Sequence, residues 1–120
     1  MTPKEIVIDG ITYVPKGYDK AESFKGMKYA IVRTHSAGVF AGYIEKQNGK
    51  EVVLRKARRL WYWDGAASLS ELAEYGVSKP ENCKFPCEVD TVILTEAIEI
   101  LDVSKESQEN IAKVPIWTGK

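Results

Sequence analysis

Four cations and three large rings fall within one short run of this chain, Arg55-Lys56-Ala57-Arg58-Arg59-Leu60-Trp61-Tyr62-Trp63. Guanidinium and ammonium groups grip phosphates, and rings stack on bases. The third of the three tryptophans, Trp117, lies near the other end. A competing reading gives this run to a strand whose rings alternate between a core and a subunit interface, behind a solvated basic start. Two small-residue loops add to the phosphate-binding theme. Ser36-Ala37-Gly38-Val39-Phe40-Ala41-Gly42 could bring bare backbone N–H groups close to an anion, although a tight hairpin explains the same residues. Asp64-Gly65-Ala66-Ala67 runs into a helix start at Ser68, and helix N-termini favour anions. Neither loop matches a Walker loop or a dinucleotide fingerprint.

Catalytic chemistry finds little to work with. His35 is the single histidine and follows Arg33-Thr34 at a strand end. Ser36, Ser68 or Cys83 could pair with it in principle, but no nucleophile elbow surrounds any of them. Glu96 and Glu99 straddle apolar strand residues and are expected to face solvent. Cys83 and Cys87 flank Lys84-Phe85-Pro86. With one histidine far away they are too few for structural zinc, and packed thiols are the expected state. No catalytic residue, metal or cofactor is assigned. The chemistry is that of binding without turnover.

The elements that must position these groups follow from hydrophobic patterning and turn residues. Ile6-Val7-Ile8-Asp9-Gly10-Ile11-Thr12-Tyr13-Val14 predicts a hairpin about Asp-Gly. Residues 15–26 are polar and predict a linker with one short helical turn. Residues 1–26 are therefore expected to form an N-terminal appendage, and residues 27–120 the main domain. The body opens with strands at 27–34, 39–45 and 51–55, separated by turns at Ser36-Ala37-Gly38 and Gln47-Asn48-Gly49. The aromatic segment 58–63 is expected as a strand after a break at Lys56-Ala57. Ser68 and Glu71 form a capping box for a short helix that stops at Gly76. Strands follow at 90–94 and 97–101, and Ser104 caps a last helix to about Lys113, ended by Pro115. The predicted class is α+β: a small antiparallel β-meander sheet with a short middle helix and a C-terminal helix, preceded by an N-terminal β-hairpin.

The bulk numbers narrow the partners. The 120 residues suffice for one domain, and 17 basic side chains cancel 17 acidic ones. Proteins that coat long nucleic acid usually carry a basic excess, so that role is disfavoured. No apolar run is long enough to span a membrane, and the start, Met1-Thr2-Pro3-Lys4-Glu5, lacks the order of a signal peptide. A soluble, intracellular protein is expected.

Several strings resemble a family of short phage proteins. They are Ile31-Val32-Arg33-Thr34-His35-Ser36-Ala37-Gly38-Val39-Phe40-Ala41-Gly42, the run from Ala57 through Trp63 to Ala73, Cys83-Lys84-Phe85-Pro86, and Leu94-Thr95-Glu96-Ala97-Ile98-Glu99-Ile100. The resemblance covers about residues 27–117. The family is similar to the first-described type of Thoeris anti-defence protein. That resemblance implies a sponge in the cytoplasm of the infected bacterial host, holding a cyclic ADP-ribose isomer without cleaving it. It also implies a homo-oligomer, a dimer or a hexamer, with a separate site for cyclic di- and trinucleotides. Arg58, Arg59 and Phe85 are the counterparts of the family's arginines and base-stacking ring. Arginines expected on the last helix are absent, and Lys105 and Lys113 are its cations.

The expected ligand-binding set is thus Arg58, Arg59, Trp61, Trp63, Ser68, Phe85 and Lys113. The expected second nucleotide site is Arg33, Thr34, Ser36, Ala37 and Gly38. The partner is a small cyclic nucleotide signal, with neither long nucleic acid nor membrane. An alternative is an interaction protein that inhibits a host defence enzyme by masking its surface, since an aromatic–arginine cluster also makes a good hot spot. An enzyme that degrades the signal is the third reading.

Overall fold

The structure, a computed structural model, describes residues 6–8, 11–13 and 19–119. Strands β1 (Ile6–Ile8) and β2 (Ile11–Tyr13) pair antiparallel as their own two-stranded sheet. The expected Asp-Gly turn between them lies outside the described residues. The body is a five-stranded antiparallel sheet in the order β6-β5-β4-β3-β7. Its strands are β3 (Lys28–Thr34), β4 (Val39–Asn48), β5 (Glu51–Arg59), β6 (Val89–Leu94) and β7 (Ala97–Asp102). Two helices, α1 (Leu69–Tyr75) and α2 (Lys105–Lys113), complete it. The α+β class, the meander and both helices are as the sequence predicts.

The topology forces the sheet to curl. β6 and β7 occupy opposite edges, yet only Thr95 and Glu96 join them. The crossing is pinned across the sheet's end by two backbone bonds, Ala97 N–H to the Lys50 carbonyl and His35 N–H to the Glu96 carbonyl, each 3.0 Å. The sheet therefore bends into a half-barrel with two apolar faces. Val32, Phe40, Val52, Leu54, Ala57 and Leu94 fill its inside. Tyr29, Ile31 and Ala41 face outward and pack with Leu72, Phe85, Ile111 and Val114 from the helices and loops. β3 sits in both cores, which is why Tyr29, Ala30, Ile31 and Val32 are all buried in succession.

Both helices begin on serine caps. The Ser68 hydroxyl accepts from Glu71 N–H at 3.1 Å, and Ser104 accepts from Ser107 N–H at 3.0 Å. The first cap departs from the expected box in one detail: the Glu71 carboxylate takes the N–H of Ala67, not that of Ser68. Ser107 is fully buried, and its hydroxyl donates to the Leu72 carbonyl at 2.6 Å, locking α2 onto α1.

Two expectations need correction. β5 does not break at Lys56-Ala57. It continues through a bulge in which Lys56 takes a φ of 50°, opposite Gly42. Gly42 keeps that approach open, because a Cβ there would lie a tight 3.0 Å from the Arg55 carbonyl oxygen. The aromatic segment, in turn, is no sheet strand past Arg59. β4 begins at Val39, so after Leu60 N–H bonds to the Val39 carbonyl no partner strand remains. Tyr62 instead bridges to Lys84.

The stretch after residue 18, expected as linker, is bonded to the body. Ala21 N–H donates to Val103, Lys105 N–H donates to Asp19, and Glu22 N–H donates to the Gln108 side chain. Its one tight turn is a β-turn at Lys25-Gly26, both at positive φ, rather than a helical one.

Candidate functional site

Strand alternation and the bulge scatter the four cations that stand together in sequence. Arg55 is held by Glu45 at 2.9 Å and Asp90 at 3.1 Å, and its hydrogen bonds to them raise its pKa. Arg59 lies 4.6 Å from the Phe40 ring centre. Lys56, turned outward by the bulge, sits 4.5 Å over Phe24. Arg58 points the other way from Arg59, into the helix-side core, and is only 7% exposed.

Arg58 is the best-bonded side chain of the chain's centre. Its guanidinium donates to five backbone carbonyls, those of Phe85, Pro86, Ile111, Val114 and Pro115, at 2.7–3.2 Å. It also lies 5.5 Å over Phe85. These carbonyls belong to the end of α2 and to the loop beneath it, groups that a helix C-terminus leaves unpaired. Burial lowers the Arg58 pKa, while Tyr29, Glu88 and Cys87 act in the opposite sense. Most of the donors expected for a ligand phosphate are thus committed to backbone. Phe85, expected to stack on a base, is fully buried and belongs to the core. A ring with no exposed face cannot stack on a ligand.

What Arg58 does reach is a groove between the outer face of β3–β5 and α2. Its volume is about 340 Å³, and Tyr29, Tyr43, Lys56, Arg58, Glu88 and Gln108 are its polar lining. That is within the range of small-ligand sites. Burial pushes the Tyr29 phenol far above its ordinary pKa; Tyr43 adds to the rise, Arg58 opposes it and Glu88 adds again. Tyr29 therefore stays protonated and able to donate. Gln108 donates to the Tyr43 hydroxyl at 3.2 Å and to the Glu22 carbonyl at 3.0 Å, which fixes the groove's rim. Of this lining the sequence singled out only Lys56 and Arg58. The two tyrosines lie on separate strands, and nothing local marks them as neighbours.

Beside the groove lies an exposed aromatic patch. Trp61 and Trp117 stack with ring centres 5.2 Å apart and planes 1° from parallel. Lys84 sits 5.3 Å over Trp61 and 5.7 Å over Trp117. The backbone explains the meeting: Tyr62 bridges Lys84, Phe85 bridges Ile116, and Trp117 N–H donates to the Phe85 carbonyl. Trp61 is 58% and Trp117 44% exposed. Ile116 belongs to the patch and also lines the groove, so the two are continuous. Trp63 packs against the core instead. Ser68 is spent on its cap, and Lys113 stands exposed in the last turn of α2.

The residues expected for a second site form the β3–β4 hairpin. Arg33 is paired with Glu99 at 3.1 Å. The Thr34 hydroxyl is buried in the turn, donating to the Gly38 carbonyl and accepting from Ala37 N–H. Ser36, Ala37 and Gly38 are exposed. Gly38 holds a φ of 99°, and a Cβ there would meet nothing within 4 Å. Gly38→Ala is therefore expected to destabilise the fold through backbone strain alone, by about 1–3 kcal/mol in a urea titration. A loss under a few tenths would mean the turn relaxes.

Among the described residues no group of three or more His, Cys, Asp or Glu side chains could hold a metal, and no helix is long and apolar enough to cross a membrane. Curled antiparallel sheet, two covering helices and a polar groove beneath α2 define an α+β domain with a groove of small-ligand size. The chain belongs to the family described as a domain of unknown function, DUF6948, whose model matches residues 27–111. The match begins where β3 begins and ends within α2, so it spans the sheet and both helices. No curated protein and no solved structure matches the chain.

Proposed function

We propose that this protein is a phage anti-defence sponge, acting in the cytoplasm of the infected bacterium. It binds a cyclic nucleotide immune signal, glycocyclic ADP-ribose in the first instance and cyclic di- or trinucleotides as a second class, and does not cleave it. The observation that carries this reading is the groove beneath α2, where Lys56 and one face of Arg58 stand with two tyrosines and an amide. Cation, ring and amide are what phosphate, base and base edge need. The resemblance of the central strings to the phage family supports the choice of ligand. A sponge must outcompete a receptor, and nanomolar affinity corresponds to about 12 kcal/mol. An open groove on one small chain buries little of a nucleotide, which favours a site completed by a second copy.

The test is to produce the protein beside an active signalling enzyme, purify it, boil it, and examine the supernatant by mass spectrometry. Intact nucleotide is expected. Altered nucleotide would indicate an enzyme, and none would remove the sponge reading. Calorimetry with the released nucleotide should then show Lys56→Gln weakening binding by about 1.5–3 kcal/mol, roughly 10- to 150-fold, with the melting temperature unchanged. Undiminished affinity would place the ligand elsewhere.

The exposed Trp61, Tyr62, Ile116 and Trp117 favour one further reading, inhibition of a host defence enzyme by masking its surface. Under that reading boiling releases nothing, and Trp61→Ala abolishes capture of the enzyme.

A further inference from the structure

Both outer strands of the five-stranded sheet are open. Among the described residues β6 bonds only to β5 and β7 only to β3, and the two do not pair with each other. An open edge presents bare N–H and C=O groups to any strand that reaches it, and proteins usually guard such edges with lysine or proline. Neither guard is present here: β6 is Val89-Asp90-Thr91-Val92-Ile93-Leu94 and β7 is Ala97-Ile98-Glu99-Ile100-Leu101-Asp102. Their acids are neutralised, Asp90 by Arg55, Glu99 by Arg33 and Asp102 by Lys28. Ile93 is 60% and Val89 44% exposed, and their even spacing puts them on one face of β6. Val92, on the other face, is only partly buried at the rim of the inner core.

The same chain carries a strand pair in want of a sheet. Among the described residues β1 and β2 bond to each other and to no strand of the five. Their residues, Ile6-Val7-Ile8 and Ile11-Thr12-Tyr13, are β-formers throughout, with apolar residues at odd and even positions alike. A lone two-stranded hairpin is marginal in water and needs a third strand or an apolar cover. The chain enters its own body at the β7 side, where Lys20 bridges Ser104 and Ala21 bonds to Val103. β6 lies at the opposite edge of the sheet from that entry.

We propose that the β1–β2 hairpin of one copy pairs along the β6 edge of a second copy, extending its sheet and covering Val89 and Ile93. Each subunit then offers one arm and one edge, which is the arrangement a closed symmetric assembly requires. The junction is independent of any ligand.

The experiment uses the full chain. Light scattering on wild type, Ile93→Lys and Ile8→Lys gives the mass of each at micromolar concentration, with circular dichroism and melting to confirm the fold. Ile93 is exposed, so its replacement leaves the core intact. A dimer or larger is expected for wild type, and a smaller species for each variant. Mixing the two variants pairs an intact arm with an intact edge and should raise the mass above that of either alone. A monomeric wild type, an unchanged mass in either variant, or no recovery on mixing overturns the proposal.

Discussion

Arg58→Ala should unfold this protein far more readily than it changes any surface property. The substitution removes a donor from five backbone carbonyls, of which Phe85 and Ile111 keep the N–H groups of Trp117 and Val114, and leaves a hole between α2 and the loop at Phe85. Each buried acceptor left unpaired costs about 1–3 kcal/mol where water cannot reach it, and the lost packing of the side chain's stem adds to that. A loss of about 3–5 kcal/mol is expected, or roughly 10–20 °C in melting temperature for a chain of this size. Arg58→Lys should recover little of it, because one ammonium on a flexible stem cannot span carbonyls that the planar guanidinium reaches at once. Differential scanning calorimetry checks both. A drop of a degree or two would show that the carbonyls find water, and would return Arg58 to the pool of ligand contacts.

Phe85→Ala is the second large effect. The ring is fully buried among Leu72, Ile111, Val114 and their neighbours, under the Arg58 guanidinium. Truncating a buried phenylalanine costs about 3–5 kcal/mol, part of it for the cavity left behind. Phe85→Leu should cost under about 2 kcal/mol, since it keeps most of the volume. Urea unfolding separates this from a ligand role. If the alanine variant kept wild-type stability but lost nucleotide binding, the ring would have to leave the core to meet a base, and the groove described above would be the wrong site.

The fold was largely legible because its signals are local. Turn residues at Ser36-Ala37-Gly38 and Asn48-Gly49, serine caps at 68 and 104, and apolar runs in β3, β6 and β7 each mark an element without reference to the rest. The site was less so, for a physical reason. Adjacent strand residues point to opposite faces, so Arg58 and Arg59 diverge although they are neighbours in sequence. The bulge at Lys56 adds a residue and turns that lysine outward, and no propensity announces a bulge. The run from Arg55 to Trp63 therefore supplies an ion pair, a groove cation, a structural clamp and half of a tryptophan stack, not one patch. The partners that give these residues their roles, Gln108, Ile111, Val114 and Trp117, come from the far end of the chain, where spacing within the run carries no information.

That distance sets an order of events during synthesis. The strands from Lys28 to Arg59 leave the ribosome first, with a guanidinium on the outer face of a sheet that is still incomplete. β3 lacks its outer neighbour until β7 is made, and of its five acceptors the Arg58 guanidinium has only the Phe85 and Pro86 carbonyls until residues 111–115 emerge. A nascent chain halted before Phe85 would hold a cation against apolar Ile31 and Ala41 with none of its five carbonyls to receive its protons, and one halted before Ile111 would lack three of them. The sheet is thus kept from settling early, and native packing is expected to appear in one late step as the last helix arrives rather than strand by strand.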